Sequence, residues 1–368
     1  MKLKYNINNI DHNVILCKKK EAHDIRNQFT KNYSDKKVLI IIDKNLNYKF
    51  SKYLFRDLKS TKNIKLSVLK VDATKANKTE VLLFKILDTL IKKKFTKKSV
   101  IISCGGGVVG DVSALASSLY LRGLIYYHVP TTMTAIVDSC IGGKTGINYK
   151  NIINSVGSYY HPKNVFISKN VINLIPKREF FAGIPEIIKC GIINDKKILS
   201  LLERNKDEVI SRNYNFLKDL IFKTLKTKIK FFKNDVYENS ERLNLNFGHT
   251  FAHAIEMALQ SKTKDILRHG EAVGMGMLCE IFYSGNFTLF NKLKYLLNYY
   301  NLPINLKKVT KGRNKKYLIN QIYNNIFLDK KKINNFPRYI KVNNIGKSKI
   351  EEMRDNSKIK KTIAEVLF

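Results

Sequence analysis

The chain has no tryptophan, and acidic side chains are scarce: 30 Asp and Glu stand against 67 Lys and Arg among 368 residues, a formal net charge of +37. Long apolar runs are missing as well. None approaches the ~20 residues that a bilayer-spanning helix needs, although a hydrophobic content of 44% suffices for a well-buried core. Met1 to Ile10 lacks the extended apolar stretch of a secretory signal. The five cysteines (Cys17, Cys104, Cys140, Cys190 and Cys279) are odd in number and widely spaced, with no CxxC pair. That spacing suggests neither a disulfide framework nor a thiolate zinc site. These absences predict a soluble, cytoplasmic protein with no membrane partner, its cysteines small buried residues in a reducing compartment.

The excess of positive charge raises a nucleic-acid reading. The lysines, however, are dispersed along the whole chain, and runs such as Lys18-Lys19-Lys20 and Lys92-Lys93-Lys94 have the character of solvated faces. No nucleic-acid partner is expected. A basic surface would instead steer a phosphorylated, carboxylated small molecule.

The first half alternates strand and helix patterns. Strands are expected at Val38–Ile42, ending in Asp43, at Ile64–Val71, at Ser99–Ser103 and at Tyr126–Val129, with a helix near Thr79–Lys93. Alternation of this kind implies a parallel sheet with ligands at the strand C-terminal ends. Beyond about residue 175 helical periodicity takes over, at Arg178–Cys190, Lys206–Phe232, Gly248–Leu259, Gly270–Ser284 and Phe287–Tyr300; strand signals are sparse there except near Arg338–Val342. The expected architecture is a Rossmann-like α/β nucleotide-binding domain over residues 1–175, followed by a mainly α-helical metal-binding domain over 176–368. The tail from Lys347 to Phe368 carries no chemistry and is expected to be a packing helix.

Three constellations stand out. Gly105-Gly-Gly-Val-Val-Gly-Asp111 lies between a strand and a probable helix, where bare backbone N–H groups and a helix N-terminus suit a pyrophosphate. It does not have GxGxxG spacing, and a tight structural turn is the alternative. In Leu245-Asn-Phe-Gly-His249-Thr-Phe-Ala-His253 two imidazoles fall at i, i+4 on one helical face, a spacing that can chelate a metal or mark a surface pair. His269 adds a third imidazole, and Glu186, in Gly183-Ile-Pro-Glu-Ile-Ile-Lys189, a carboxylate that could equally be an ordinary helix N-terminal glutamate. A Glu with two His and one open position makes a plausible catalytic zinc set. The third constellation, Pro130-Thr-Thr-Met-Thr-Ala-Ile-Val-Asp138-Ser-Cys-Ile-Gly-Gly-Lys144, flanks a Gly-Gly turn with an acid and a lysine, and would otherwise be a polar loop.

In chain order the motifs GGGVVGD (105–111), YLRG (120–123), PTT and VDSCIGGKT (130–145), PEIIKCG (185–191), LNFGHTFAHAIE (245–256) and RHGEAVGMGM (268–277) resemble the 3-dehydroquinate synthase family. The resemblance runs from about Lys37 to Gly346, and chance agreement of so many ordered motifs is not a serious alternative. It implies NAD and a zinc or cobalt ion as cofactors, with Glu186, His249 and His269 as the metal ligands and His253 beside the substrate. Asp43, Asn45, Asp72, Lys75, Gly106, Gly107, Val108, Val109, Gly110, Asp111, Thr131, Thr132, Lys144, Val171, Asn173 and Leu174 fall on its cofactor-contacting stretches. Arg242 and Lys228 are similar to the pair that grips the substrate carboxylate. Lys144, Asn154, Asn246 and one of Lys330 or Lys331 are similar to the phosphate cradle, and Asp138 and Lys189 to the groups against the ring hydroxyls. Arg122 resembles the arginine that reaches the phosphate from a neighbouring subunit, which implies a homodimer.

The chain departs from the family pattern in two places. Ile152-Ile153-Asn154 stands where Gly-Lys-Asn is usual, and Thr74 and Asn77 replace a glutamate and a lysine, with Lys75 or Lys78 as candidate substitutes. A related hexose-phosphate cyclase would share NAD and metal without the carboxylate grip. A polyol dehydrogenase of similar architecture would release NADH.

Overall fold

Branched apolar side chains pack well on a pleated surface buried on both faces, and the densest runs of them become the central strands. The computed structural model describes residues 1–17, 24–25, 27, 36–46, 58, 64–150, 152–260, 266–328 and 336–368. It divides into two compact units, 1–180 and 181–368, a few residues beyond the boundary expected at 175.

The strands of the first unit are β1 (Lys2–Ile7), β2 (Ile10–Leu16), β3 (Lys36–Asp43), β4 (Ile64–Val71), β5 (Val100–Gly105), β6 (Ile125–Pro130), β7 (Lys144–Tyr149), β8 (Ile152–Tyr159) and β9 (Asn164–Ile167). Seven form one sheet in the order β1-β2-β9-β6-β5-β3-β4, while β7 and β8 pair as a separate antiparallel hairpin. The seven-stranded sheet is parallel throughout except for the β1–β2 hairpin. That hairpin was not among the expected strands, although Leu3, Tyr5 and Ile7 alternate with polar residues and are buried. From β3 the chain goes to β4 on one side and then crosses to β5 on the other. The strand order therefore reverses at the C-terminal ends of β3 and β5, where open parallel sheets bind ligands. Asp43 and Gly105 end those two strands.

Helix α1 (Glu80–Lys92) buries Leu82, Leu83, Ile86 and Leu90 at helical spacing. These join Leu39, Ile41 and Ile101 of the sheet in one apolar cluster. Helix α2 (Gly107–Leu119) follows β5 directly, and the short α3 (Lys169–Leu174) follows β9.

The second unit contains α4 (Ile184–Ile193), α5 (Lys196–Arg204), α6 (Tyr214–Phe232), α7 (His249–Ala258), α8 (His269–Ser284), α9 (Phe287–Tyr299), α10 (Lys315–Ile326) and α11 (Asn356–Leu367), with the hairpin β10 (Arg338–Asn344) and β11 (Lys347–Glu352). Three expectations change here. The stretch Arg178–Cys190 is not one helix: a turn at Lys177–Phe181 stops, and α4 restarts with Pro185 in its first turn, where a missing N–H costs nothing. The stretch Lys206–Phe232 breaks at Asn213, whose side chain accepts from the N–H of Asn215 and Phe216 and caps α6. The tail from Lys347 is first a strand paired with β10, and becomes helix only after Asp355 caps α11.

Helix α8 is buried on almost every side, and its contact with α7 depends on glycine. A Cβ on Gly276 would stand 2.0 Å from the Gly248 carbonyl oxygen. Gly248 itself caps α7 at φ 82°, in left-handed space that favours glycine. The close approach of these two backbones sets the distance between the histidines that α7 and α8 carry. Among the described residues no helix is long and apolar enough to cross a membrane.

Candidate metal centre and nucleotide turn

Three helices deliver one carboxylate and two imidazoles to a common point. Glu186 lies in the first turn of α4 and is 1% exposed. His249 opens α7 and His269 opens α8. Glu186 Oε1 is 3.8 Å from His249 Nε2 and 3.7 Å from His269 Nε2, and the three ligand atoms all lie within 4.8 Å of one another.

The tautomers are set from behind. His249 Nδ1 lies 3.2 Å from the Phe247 carbonyl oxygen and His269 Nδ1 lies 3.0 Å from Glu256 Oε2. Each Nδ1–H donates to its oxygen, so each Nε2 lone pair turns toward Glu186. A buried carboxylate oxygen with no hydrogen-bond donor, facing two imidazole lone pairs, is an arrangement of acceptors alone. A divalent cation satisfies all three at once, and one carboxylate with two imidazoles is a zinc-type donor set. His253, one turn after His249, stands outside this trio. Its ring is edge-on to His249 at 5.4 Å between centroids, and it groups instead with Glu256 and His269. Chelation by the i, i+4 histidine pair is therefore not what the helices set up. Glu256 was missed from sequence because a glutamate late in a helix gives no sign of what it will touch.

Among the described residues the second unit also buries three cations. Lys189, 1% exposed, forms an ion pair with Glu186 Oε2. Lys228 on α6 is 6% exposed and Arg242 is 2% exposed. Arg242 Nη1 donates to the Val236 carbonyl oxygen at 2.6 Å, and the guanidinium lies over the Phe232 ring at 5.5 Å. Asn246 Nδ2 donates to Glu238 Oε1 at 2.5 Å, which brings in a carboxylate that the sequence reading did not single out. Lys330 and Lys331 lie outside the described residues.

In the first unit the proposed cofactor residues collect at the strand C-terminal ends. The turn after β5 has no side chains between Gly105 and Gly107, and Gly106 caps α2 without a side-chain hydrogen bond. The N–H groups of the first helical turn are thus left for an anion. A Cβ on Gly106 would come within 2.9 Å of Thr132 Cγ2, so the bare turn runs against Thr131–Thr132 after β6. Thr131 N–H donates to the Gly105 carbonyl oxygen at 3.0 Å. Val109 and Gly110 are buried in α2, whereas Gly107, Val108 and Asp111 are part-exposed. Asp138 lies in the turn Ala135–Ser139, and Lys144, exposed, opens β7.

At the end of β3, Asp43 Oδ1 accepts from the Asn45 N–H at 2.9 Å, and burial pushes its carboxyl above the usual range. Asp72, just past β4, pairs with Lys44 at 2.6 Å. Lys75 is exposed in the turn that follows. In α3, Val171 is buried, and Asn173 and Leu174 are exposed. Arg122 is exposed in left-handed space at φ 59° next to Leu121 at φ 48°.

Family models described as 3-dehydroquinate synthase N-terminal and 3-dehydroquinate synthase C-terminal match residues 68–182 and 183–332. The chain belongs to the 3-dehydroquinate synthase family. A 3-dehydroquinate synthase of Ruminiclostridium cellulolyticum is 32% identical over 335 residues, covering 90% of each chain. Two solved structures share the fold. One is a 2-deoxy-scyllo-inosose synthase complexed with carbaglucose-6-phosphate, NAD+ and Co2+, at TM-score 0.84 and 22% identity over 100% of both chains. The other is a 2-epi-5-epi-valiolone synthase from Streptomyces hygroscopicus subsp. jinggangensis with NAD+ and Zn2+ bound, at TM-score 0.85 and 20% identity over 98% of both chains.

Where the 3-dehydroquinate synthase pattern has its second lysine, this chain has Ile153, 45% exposed. A different cation stands close by. Lys78 Nζ lies 2.5 Å from Asp111 Oδ2 and 2.6 Å from Asn154 Oδ1, bridging α2 to the β7–β8 hairpin.

Proposed function

We propose that the chain is a 3-dehydroquinate synthase, converting 3-deoxy-D-arabino-heptulosonate 7-phosphate to 3-dehydroquinate and phosphate. Family membership over both halves supports this, and the observation that carries it is the Glu186–His249–His269 convergence, in a unit that also buries the cations Lys228 and Arg242. Glu186, His249 and His269 would hold zinc or cobalt, and the turn Gly106–Asp111 with Thr131 and Thr132 would hold the NAD pyrophosphate. When bound, NAD supplies a reversible hydride acceptor for the C5 carbinol and the metal supplies Lewis-acid polarisation of the neighbouring hydroxyls.

The chain's own residues do the rest. Lys228 and Arg242 bind the carboxylate in a buried setting where charge-assisted bonds are strong. Lys144, Asn154 and Asn246 bind the phosphate, with Lys330 or Lys331 completing the cradle. Asp138 and Lys189 orient the ring hydroxyls, and His253 takes the proton that leaves the C5 hydroxyl. With C5 a ketone, the C6 proton becomes acidic and would leave with the departing phosphate, and hydride returned to C5 would restore the carbinol before the ring opens. Ring opening and an intramolecular aldol addition then require mainly that both ends of one flexible molecule stay fixed.

Arg122 would reach the phosphate of a neighbouring subunit in a homodimer. Its strained, exposed backbone supports this, since such conformations persist where something else over-determines them. So do its exposed apolar neighbours Leu119 and Leu121, 52% and 48% accessible. Five buried cysteines that form no disulfide are in keeping with a reducing, cytoplasmic setting.

A hexose-phosphate cyclase without the carboxylate grip accounts less well for Arg242 and Lys228. The deciding measurement is phosphate release from the heptulosonate at NAD concentrations far below substrate. Many turnovers per NAD with no lasting NADH absorbance are expected, because both hydride transfers occur on one bound intermediate. Stoichiometric NADH would replace the synthase by a dehydrogenase.

A further inference from the structure

Between the end of α6 at Phe232 and the start of α7 at His249 the chain must turn sharply and still present Arg242 from a fixed position. Residues 233–241 contain no glycine to ease that turn, and Glu238 takes a left-handed φ of 63°. The 3-10 segment Glu241–Asn246 begins after Ser240, whose side chain makes no capping bond. Its N-terminal N–H groups are satisfied from a distance by one carboxylate. Asp235 Oδ1 accepts from the Asn239 N–H at 2.8 Å, and Oδ2 accepts from the Ser240 N–H at 2.8 Å and the Arg242 N–H at 2.9 Å.

Arg242 is therefore tied at both ends to neighbouring residues: its backbone to Asp235, its guanidinium to the Val236 carbonyl oxygen at 2.6 Å. Burial by itself would raise the Asp235 carboxyl, but its backbone N–H donors hold it below the usual carboxylate range, so it stays ionised. A carboxylate in that position can do something a neutral side chain cannot, which is to saturate several convergent N–H groups with one anion.

We propose that Asp235 is a positioning residue for substrate-carboxylate recognition, its carboxylate fixing the turn that aims Arg242. The proposal rests on the reading of Arg242 as the carboxylate grip. It predicts a selective defect, because a turn that merely held the fold together would harm every ligand alike.

Asp235→Asn keeps the shape while turning one acceptor into a donor facing an N–H, which leaves a backbone group unsatisfied. The holoenzyme loaded with NAD and zinc is titrated with two competitive probes. One is a carbocyclic phosphonate analogue of the substrate bearing the carboxylate, and the other is the same compound with hydrogen in its place. Asp235→Asn is expected to weaken the carboxylate probe on the order of tenfold or more, with the decarboxylated probe, bound zinc and NAD affinity unchanged. Equal weakening of both probes, loss of zinc or no change at all overturns the proposal.

If Asp235→Asn lacks the native circular dichroism, Asp235→Glu takes its place. It keeps the charge one methylene further out, and the same split in smaller measure is required; equal losses overturn the proposal there too. Arg242→Ala separates the two levels. If it leaves the ratio between the probes unchanged, the reading of Arg242 itself falls. If it abolishes that ratio while Asp235→Asn does not alter it, only the role of Asp235 falls.

Discussion

His249 and His253 are one helical turn apart and chemically identical, yet their surroundings differ. The Phe247 carbonyl oxygen fixes one ring from behind, and Glu186 Oε1 lies 3.8 Å ahead of its Nε2. The other ring lies beside Glu256 and His269. His249→Ala is accordingly expected to lose both bound metal and activity, since two protein ligands do not replace three. His253→Ala should lose activity and keep its metal. Glu256→Gln, which replaces the carboxylate behind His269 with a neutral and weaker acceptor, should weaken metal binding by about 10–100-fold, read by competition with a chromogenic chelator. Metal analysis showing the His253→Ala protein empty and the His249→Ala protein loaded would reverse the assignment of the two histidines.

Beneath the glycine turn, strands β5 and β6 carry a buried polar network into the floor of α2. Ser103 Oγ lies 2.6 Å from His128 Nδ1 and 2.7 Å from the Tyr126 hydroxyl, which donates to the Gly110 carbonyl oxygen at 3.1 Å. A Cβ on Gly110 would stand 3.2 Å from the His128 ring, so helix and imidazole are in close contact. Burial lowers His128 to about 4, from the ordinary 6.5. The unfolded chain therefore binds a proton below about 6.5 that the folded chain refuses until about 4, and stability falls as pH drops through that window. The loss reaches about 2 kcal/mol at pH 5 and about 3 kcal/mol once both states are protonated. Urea midpoints at pH 7 and pH 5 should show a steeper decline for the native protein than for His128→Gln, which cannot titrate. Parallel declines would mean that the ring is already free to protonate in the fold.

For the whole molecule, the proposed homodimer with Arg122 acting in trans makes a test that no single chain can pass. Arg122→Ala and Arg242→Ala should each be inactive alone. Mixed and reassociated, half of the dimers pair one of each, and one of the two sites in such a dimer has both arginines. About a quarter of native activity should return. No recovery from dimers shown by light scattering to have exchanged would place Arg122 in its own subunit's site or outside any.

The amino-acid sequence by itself determined the parallel sheet and its glycine turn, because apolar runs such as Val38–Ile42 and Val100–Cys104 end in residues that stop a strand and leave backbone exposed. It also marked the histidines and Glu186 as metal-capable by residue type and family motif. It did not determine that Arg178–Cys190 and Lys206–Phe232 are interrupted or that the tail starts as a strand, since caps and edge pairing depend on neighbours remote in sequence. Only the tertiary structure brought Glu186 into reach of His249 and His269, and only the contact of α7 and α8, close enough to forbid a Cβ at Gly276, brought those two histidines together. Only the tertiary structure made Lys78 the cation that joins Asp111 to Asn154, and singled out Glu256 behind His269 and Asp235 behind Arg242. The reason is physical. Periodicity and propensity act over a few residues, whereas a carboxylate's partner is decided by which backbones the packed core allows to meet.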